Sequence, residues 1–235
     1  MKFQRGSTMQ TLTTIPLFSE LSEEAGQRFA KSCFWKDYDP HELIIDVEDE
    51  TTDVRFVLSG RVRIIHRISV GKEVILNEMG DGEYFGEIAA IDGWPRSANV
   101  TTLTRSRICI MPQKVFIEVL ADSPPTSLKV MKMLARRVRD LNLRLAEHSF
   151  LQAKHRLYSE LLRLSRPRPG HPDQRTVSPP PIQRELADRI GTRREVVSRE
   201  LNALEKQGHI AKTKGAIALL NPDELQRRIS EAWDE

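Results

Sequence analysis

Several things are scarce in this 235-residue sequence, and each scarcity removes a class of protein. There are 2 cysteines, Cys33 and Cys109, each inside an apolar segment. A disulfide framework is not expected in a reducing compartment, and two separated cysteines cannot supply the roughly four ligands of a clustered-thiolate metal or iron–sulfur site. Both are therefore expected to be small buried hydrophobes. No stretch approaches the roughly 18 uninterrupted apolar residues of a membrane-spanning helix. The opening Met-Lys-Phe-Gln-Arg-Gly has no apolar core that could act as a secretion signal. A cytoplasmic protein without membrane partners is the expectation.

Charge of one sign is also lacking overall, with 36 Lys+Arg against 33 Asp+Glu and a net charge of +3. Its distribution is more informative. Arg184, Arg189, Arg193, Arg194 and Arg199 fall within residues 184–199, while acidic residues crowd 46–53. A basic segment on a balanced chain is a localised footprint for a polyanion.

What is present divides the chain in three. Ser22-Glu-Glu opens a short helix with Leu21, Ala25, Phe29 and Ala30 as its apolar face. Between Leu43 and Met111 come short apolar and β-branched runs: Leu43-Ile-Ile, Val54–Leu58, Val62–Ile68, Val74–Leu76, Val100–Leu103 and Ile108–Met111. Turn signals separate them at Ser59-Gly60, Gly71-Lys72, Gly80-Asp-Gly82 and Asp92-Gly93. Short, regularly spaced strands of this kind predict an antiparallel barrel or sandwich. After Pro124-Pro125 the period becomes helical. Met131, Leu134, Val138, Leu141, Leu145, His148 and Gln152 alternate spacings of three and four, with arginines off the seam, the pattern of a coiled-coil contact. A second helix is expected over Lys154–Ser165. Proline density forbids regular structure across 166–181, which reads as a surface loop, either a partner contact or simply solvated. The fold class is thus α+β, with units at 10–124, 125–152 and 153–235.

One stretch carries chemistry, Gly82-Glu-Tyr-Phe-Gly86-Glu87-Ile88-Ala89-Ala-Ile-Asp-Gly-Trp-Pro-Arg96-Ser97-Ala98-Asn-Val100. Gly86 permits close backbone approach to a ligand. Glu87–Ile91 can form one helical turn with free N–H groups for an anion. Arg96 offers a guanidinium that grips a phosphate with two hydrogen bonds, and Ser97 adds a hydroxyl. Glu87, acceptor-only when ionised, suits a sugar hydroxyl. An arginine for phosphate and a carboxylate for ribose within about ten residues make a nucleotide site.

A second motif follows at Ile182-Gln-Arg-Glu-Leu-Ala-Asp-Arg-Ile-Gly191-Thr192-Arg193-Arg194-Glu195-Val-Val-Ser198-Arg199-Glu-Leu-Asn-Ala-Leu204. Two amphipathic helices meet at Gly191, which can take the positive φ of a helix-turn-helix bend. On the second, Val197, Leu201 and Leu204 cluster opposite an edge carrying Arg194, Glu195, Ser198 and Arg199. Arginine fits guanine O6/N7 and glutamate accepts from cytosine N4. The run from His209 to Leu220 reads as a β-hairpin wing turning at Lys214-Gly215, with Lys212 and Lys214 toward phosphate.

Phe85-Gly86-Glu87-Ile88-Ala89 and Arg96-Ser97-Ala98 resemble the cassette of cyclic-nucleotide-binding domains in the catabolite activator (CRP/FNR) family and in cyclic-nucleotide-dependent kinases. Arg194-Glu195 and Arg199 are similar to that family's recognition helix, a system that also serves as a standard helix-turn-helix example. The resemblance implies an eight-stranded, jelly-roll-like β-roll, a dimerisation helix and a winged helix-turn-helix. It implies that Glu87 binds the ribose 2′-hydroxyl and that Arg96 and Ser97 bind the cyclic phosphate, within a ligand shell of Gly86, Ile88, Ala89 and Ala98. On the long helix the base-contacting pair corresponds to Leu141 and Asn142, of which only Asn142 can hydrogen-bond. Cyclic AMP is the implied ligand, with cyclic GMP admitted by Ser97 and by the loss of one polar contact at Leu141. No metal is implied.

The expected partners are double-stranded DNA, a second copy of the chain, and RNA polymerase if the protein activates. The DNA-facing set is Arg184, Thr192, Arg193, Arg194, Glu195, Ser198, Arg199, Lys212 and Lys214, and Arg184 and Arg193 depart from the family's usual residues. The family also often has glycine where this chain has Glu48. No nucleophile–base pair suggests catalysis. Two other classes stay open at this point, a ligand-independent repressor and a haem or iron–sulfur sensor.

Overall fold

The computed structural model describes residues 12–69 and 72–234. The opening hexapeptide and Gly71 of the Gly71-Lys72 turn lie outside them. The chain divides into two compact units at Arg137/Val138.

In the first unit two 3-10 turns, Leu12–Thr14 and Pro16–Phe18, lead into α1 (Glu23–Ala30), whose N-cap Ser22 accepts from the Ala25 N–H at 3.2 Å. Eight strands follow as two antiparallel four-stranded sheets. The first sheet contains β1 (Phe34–Tyr38), β3 (Val54–Ser59), β6 (Tyr84–Phe85) and β8 (Ser106–Met111), in the order β1-β8-β3-β6. The second contains β2 (Leu43–Ile45), β4 (Val62–Ser69), β5 (Lys72–Met79) and β7 (Asn99–Thr102), in the order β2-β7-β4-β5. The period of two explains why they face each other. Tyr38, Val57, Phe85 and Ile108 from one sheet meet Ile44, Val62, Met79 and Val100 from the other in a buried apolar interior. Val54, Phe56, Cys109 and Met111, one residue out of phase, form a second core under α1 and α3 (Gln113–Asp122). Both cysteines are buried there as free thiols. They are also neighbours: the Cys33 thiol beside it, and then burial, push the Cys109 thiol up.

Of the β-roll strands, β1 and the two-residue β6 escape the sequence pattern, because β1 carries charge and β6 sits inside the cassette. The turn at Glu48 needs no glycine to reach the left-handed region, since Glu48 itself adopts φ +69°.

The long helix α4 (Pro124–Phe150) has Met131, Val138, Leu141 and Leu145 each more than half exposed, as an unpartnered apolar seam requires. Leu134 departs from that seam, being half-buried against the first unit's own core. So does Gln152, which lies beyond the helix as the N-cap of α5 (Ala153–Leu164).

The second unit packs α5, α6 (Gln183–Ile190), α7 (Arg194–Lys206) and α8 (Pro222–Glu231) around Leu157, Leu161, Leu186, Val197, Leu201 and Leu204. Its sheet corrects the reading of 166–181 as irregular. β9 (Arg166–Arg168) and β10 (His171–Val177) join β11 (Ile210–Thr213) and β12 (Ala216–Leu219) in the order β11-β12-β10-β9. Proline is tolerated because Pro167 lies on the edge strand. Pro172 falls where the β9–β10 register shifts between His171 and Arg175, so no ladder bond depends on its missing N–H.

Candidate functional site

The cassette folds as its residues require. Gly86 takes φ +86° and caps α2 (Glu87–Asp92). A Cβ at Gly86 would lie 2.5 Å from Arg96 Nη1 and 2.8 Å from the Asp53 carbonyl oxygen, so only glycine fits. This crowding reflects how Arg96 is held. Its Nε donates to Thr51 Oγ1 at 3.1 Å, Nη1 to the Gly86 carbonyl at 3.0 Å and Nη2 to the Asp53 carbonyl at 2.7 Å. Three of the five guanidinium N–H groups thus fix its position, and the remaining two are those an oxyanion can take. The backbone also pins the loop of residues 46–53 beside it: Glu48 N–H donates to the Arg96 carbonyl at 2.9 Å, and Arg96 N–H to the Asp49 carbonyl at 3.0 Å.

Glu87 is 1% exposed. Its Oε1 forms an ion pair with Arg137 Nη1 from α4, and Arg137 Nη2 also donates to the Tyr84 carbonyl at 3.3 Å. Its Oε2 is buried without a hydrogen-bond partner. An unsatisfied buried acceptor costs about 1–3 kcal/mol, so this oxygen is an unfilled place for a donor such as a sugar hydroxyl. Burial raises the Glu87 carboxyl above its ordinary range, and Arg137 pulls it back only in part. Burial likewise lowers Arg96, opposed by Asp53. The donor set fits a nucleotide: one guanidinium with spare N–H groups and one orphaned carboxylate oxygen.

The fold therefore brings together Gly86, Glu87, Ala89 and Arg96 as buried or half-buried groups, with Ser97 exposed and Ala98 half-buried next in sequence. Ile88 is exposed. Leu141 and Asn142 stand a turn beyond Arg137 on α4 with exposed side chains. Sequence reasoning missed Arg137, Asp53 and Thr51. Arg137 could have been found by its place, off the apolar seam and one turn before Leu141; the other two carry no linear signal.

In the second unit, Gly191 closes α6 at φ +63° and the chain re-enters helix at Arg194. Arg184, Arg193, Arg194, Glu195 and Arg199 are exposed, while Thr192 and Ser198 are half-buried. Val197, Leu201 and Leu204 are buried on the opposite side of α7. Lys214 stands exposed in the β11–β12 turn. Two basic residues behave otherwise. Arg189 is buried, with its Nη1 3.5 Å from Glu160 Oε1, and so drops out of the basic footprint. Lys212 Nζ is held by Asn202 Oδ1 at 2.7 Å and Glu205 Oε2 at 2.8 Å, because β11 runs beside α7.

Residues 35–123 match the cyclic nucleotide-binding domain family, and residues 155–228 match the Crp-like helix-turn-helix domain family. The CRP-like cAMP-activated global transcriptional regulator of Mycobacterium tuberculosis is 31% identical over 174 residues, spanning 73% of this chain and 77% of its own length. The cyclic AMP receptor protein of Thermus thermophilus is 32% identical over 164 residues, 68% of this chain and 72% of its own. A CooA variant from Carboxydothermus hydrogenoformans superposes with a TM-score of 0.77 over 96% of this chain and 99% of its own, at 21% identity, a likeness of fold alone. Fold and site together define a DNA-binding transcription regulator with a cyclic-nucleotide domain. The chain belongs to the CRP/FNR family, whose matched members are named as regulators and not as enzymes.

Proposed function

We propose that this chain is a cytoplasmic homodimer that binds cyclic AMP in its first unit and thereby reads a palindromic TGTGA-like site. The observation that carries the ligand is the orphaned, buried Glu87 Oε2 in the same cassette as an immobilised Arg96. In this reading Arg96 and Ser97 hold the cyclic phosphate, with Gly86, Ala89 and Ala98 keeping the backbone close and Ile88 on the outer side of the turn. Glu87 accepts the ribose 2′-hydroxyl. Asn142 serves the base, beside an apolar Leu141.

Arg137 is the coupling element. It rides on α4 and pairs with the same carboxylate that takes the ribose. A donor on Oε2 changes how Glu87 shares its charge with Arg137, which biases the helix whose exposed seam pairs the two copies. A ligand shifts such an equilibrium only by its difference in affinity between the two arrangements. On the DNA side, Arg194, Glu195, Ser198 and Arg199 meet base edges. Arg184, Thr192, Arg193 and Lys214 meet phosphates, and Lys212 joins them only on leaving Glu205. RNA polymerase is a partner if the protein activates.

Titrating cyclic AMP and cyclic GMP by calorimetry, then against a labelled inverted repeat, tests the reading. Saturable cyclic AMP binding with nucleotide-dependent operator retention is expected. Cyclic GMP is expected within about a hundredfold, roughly 2.7 kcal/mol, since Asn142 can present its amide or its carbonyl to either base and Ser97 offers the guanine 2-amino group a hydroxyl. Operator binding indifferent to either nucleotide overturns it. Leu145→Glu tests the seam and is expected to convert a sedimenting dimer to monomer.

A further inference from the structure

The phosphate arginine does not stand alone. Asp53 places Oδ2 at 2.6 Å from Arg55 Nε and Oδ1 at 3.4 Å from Arg96 Nη2, so one carboxylate is shared by two guanidiniums. Arg55 is buried on β3 and also donates through Nη1 to the Ile44 carbonyl. Beside them, Glu87 is matched by Arg137. Three guanidiniums thus meet two carboxylates, and the contacts leave close to one positive charge. Asp49, whose field also reaches Arg96, trims it further.

We propose that Asp53 sets the charge selectivity of this pocket, admitting singly charged phosphodiesters and penalising doubly charged phosphomonoesters. The inference rests on the nucleotide reading of Arg96. A phosphodiester carries one negative charge. A phosphomonoester carries about −1.5 to −2 at pH 7, its second ionisation lying near pH 6. The cyclic nucleotide therefore brings no more negative charge than the pocket's small positive excess can take. The linear nucleotide brings an extra charge that Asp53, locked between Arg55 and Arg96, repels at short range in a partly desolvated site. Ring geometry separates cyclic from linear ligands too, but that difference does not depend on the charge at position 53.

The test uses three ligands of one nucleoside: adenosine, cyclic AMP and 5′-AMP. Their dissociation constants are measured by calorimetry on the full chain and on Asp53→Asn and Asp53→Glu. For Asp53→Asn the gain should scale with ligand charge, about tenfold per unit charge for a contact of this range. Adenosine should be unchanged, cyclic AMP tighter and 5′-AMP tightened most, and Asp53→Glu should restore discrimination. Equal shifts for all three ligands make Asp53 a structural residue only and overturn the proposal.

A second measurement needs no variant and stands if Asp53→Asn does not fold. In wild type the affinity of 5′-AMP relative to cyclic AMP should fall severalfold between pH 5 and pH 7.5, across the phosphate ionisation near pH 6. The ratio cancels the titration of Glu87, which both ribosyl ligands share. The other charges facing the phosphate are Asp49 and Asp53 from the loop before β3, Arg55, Arg96 and Arg137. A flat ratio overturns the charge inference while cyclic AMP still binds. A wild-type chain that binds no cyclic AMP overturns the pocket reading as well.

Discussion

His148, in the last turn of α4, lies against Gly191, the pivot between the two helices of the DNA-binding motif. A Cβ on Gly191 would come within 2.9 Å of the imidazole Cε1. The end of the long helix thus touches the turn that orients the recognition helix, all within the second unit. Burial and Arg156 lower the His148 imidazole, so it packs there as the neutral ring near pH 7.

Gly191→Ala is therefore expected to destabilise the second unit by about 1–2 kcal/mol from the left-handed backbone alone, plus the cost of moving His148. His148→Ala in the same chain should return the second part and not the first. Chemical denaturation of the two single variants and the double variant measures the coupling. Strict additivity sinks the contact.

Arg96→Ala should do more than abolish nucleotide binding. The guanidinium donates to the Asp53 carbonyl, which its removal leaves unsatisfied, and to the Gly86 carbonyl, which keeps only the Ala90 N–H. We expect a loss of about 2–4 kcal/mol of stability together with the loss of cyclic AMP binding. An unfolding midpoint equal to wild type would show that the Asp53 carbonyl finds another donor and that the guanidinium does not hold the loop in place.

The pH dependence follows from Glu87. Its carboxyl is raised by burial, so the folded chain holds that proton more tightly than the unfolded one. This group's contribution to stability is therefore lost as pH rises through its raised value. Ribose recognition runs the opposite way, because only the ionised carboxylate is acceptor-only. Affinity for cyclic AMP should weaken on acidification at milder pH than an ordinary glutamate would give. Glu87→Gln should flatten the profile, and 2′-deoxy cyclic AMP should be insensitive to the substitution. Parallel profiles for both proteins contradict the ribose role.

The two wing lysines should separate. Arg194→Ala or Arg199→Ala should each cost about 1–3 kcal/mol and relax preference at one base pair. Lys214→Ala should weaken all sequences alike and lower the salt slope by about one. Lys212→Ala should change the slope less, since its ammonium is already held by Glu205. Anisotropy titrations over a salt series decide this; equal slopes for the two lysine variants would refute the distinction.

Much of this was legible in the sequence because it repeats with the period of the backbone. Val54–Leu58 and Ile108–Met111 alternate faces as strands do, and the Gly191 bend stands between two amphipathic stretches. What stayed hidden depends on chain segments far apart. Arg137 meets Glu87 across 50 residues, and Asp53 reaches Arg96 across 43. Local propensity also misled where context overrode it. The prolines of 166–181 are compatible with strand because they fall on an edge and a register shift. Arg189 looks like a DNA contact by composition, yet its partner is the buried Glu160.

The four-stranded sheet of the second unit changes what the wing is. β12 has β10 on one side and β11 on the other, so the ribbon ending at Lys214 is cantilevered from an interior strand. A free hairpin would lose about 1–2 kcal/mol of backbone entropy per residue on docking. This one has lost that freedom during folding, so in the DNA-binding role proposed for it Lys214 would meet a phosphate from a backbone already set. The proline-containing segment that builds β9 and β10 thereby braces the wing, and mutations there are expected to change DNA affinity without removing a DNA-facing side chain.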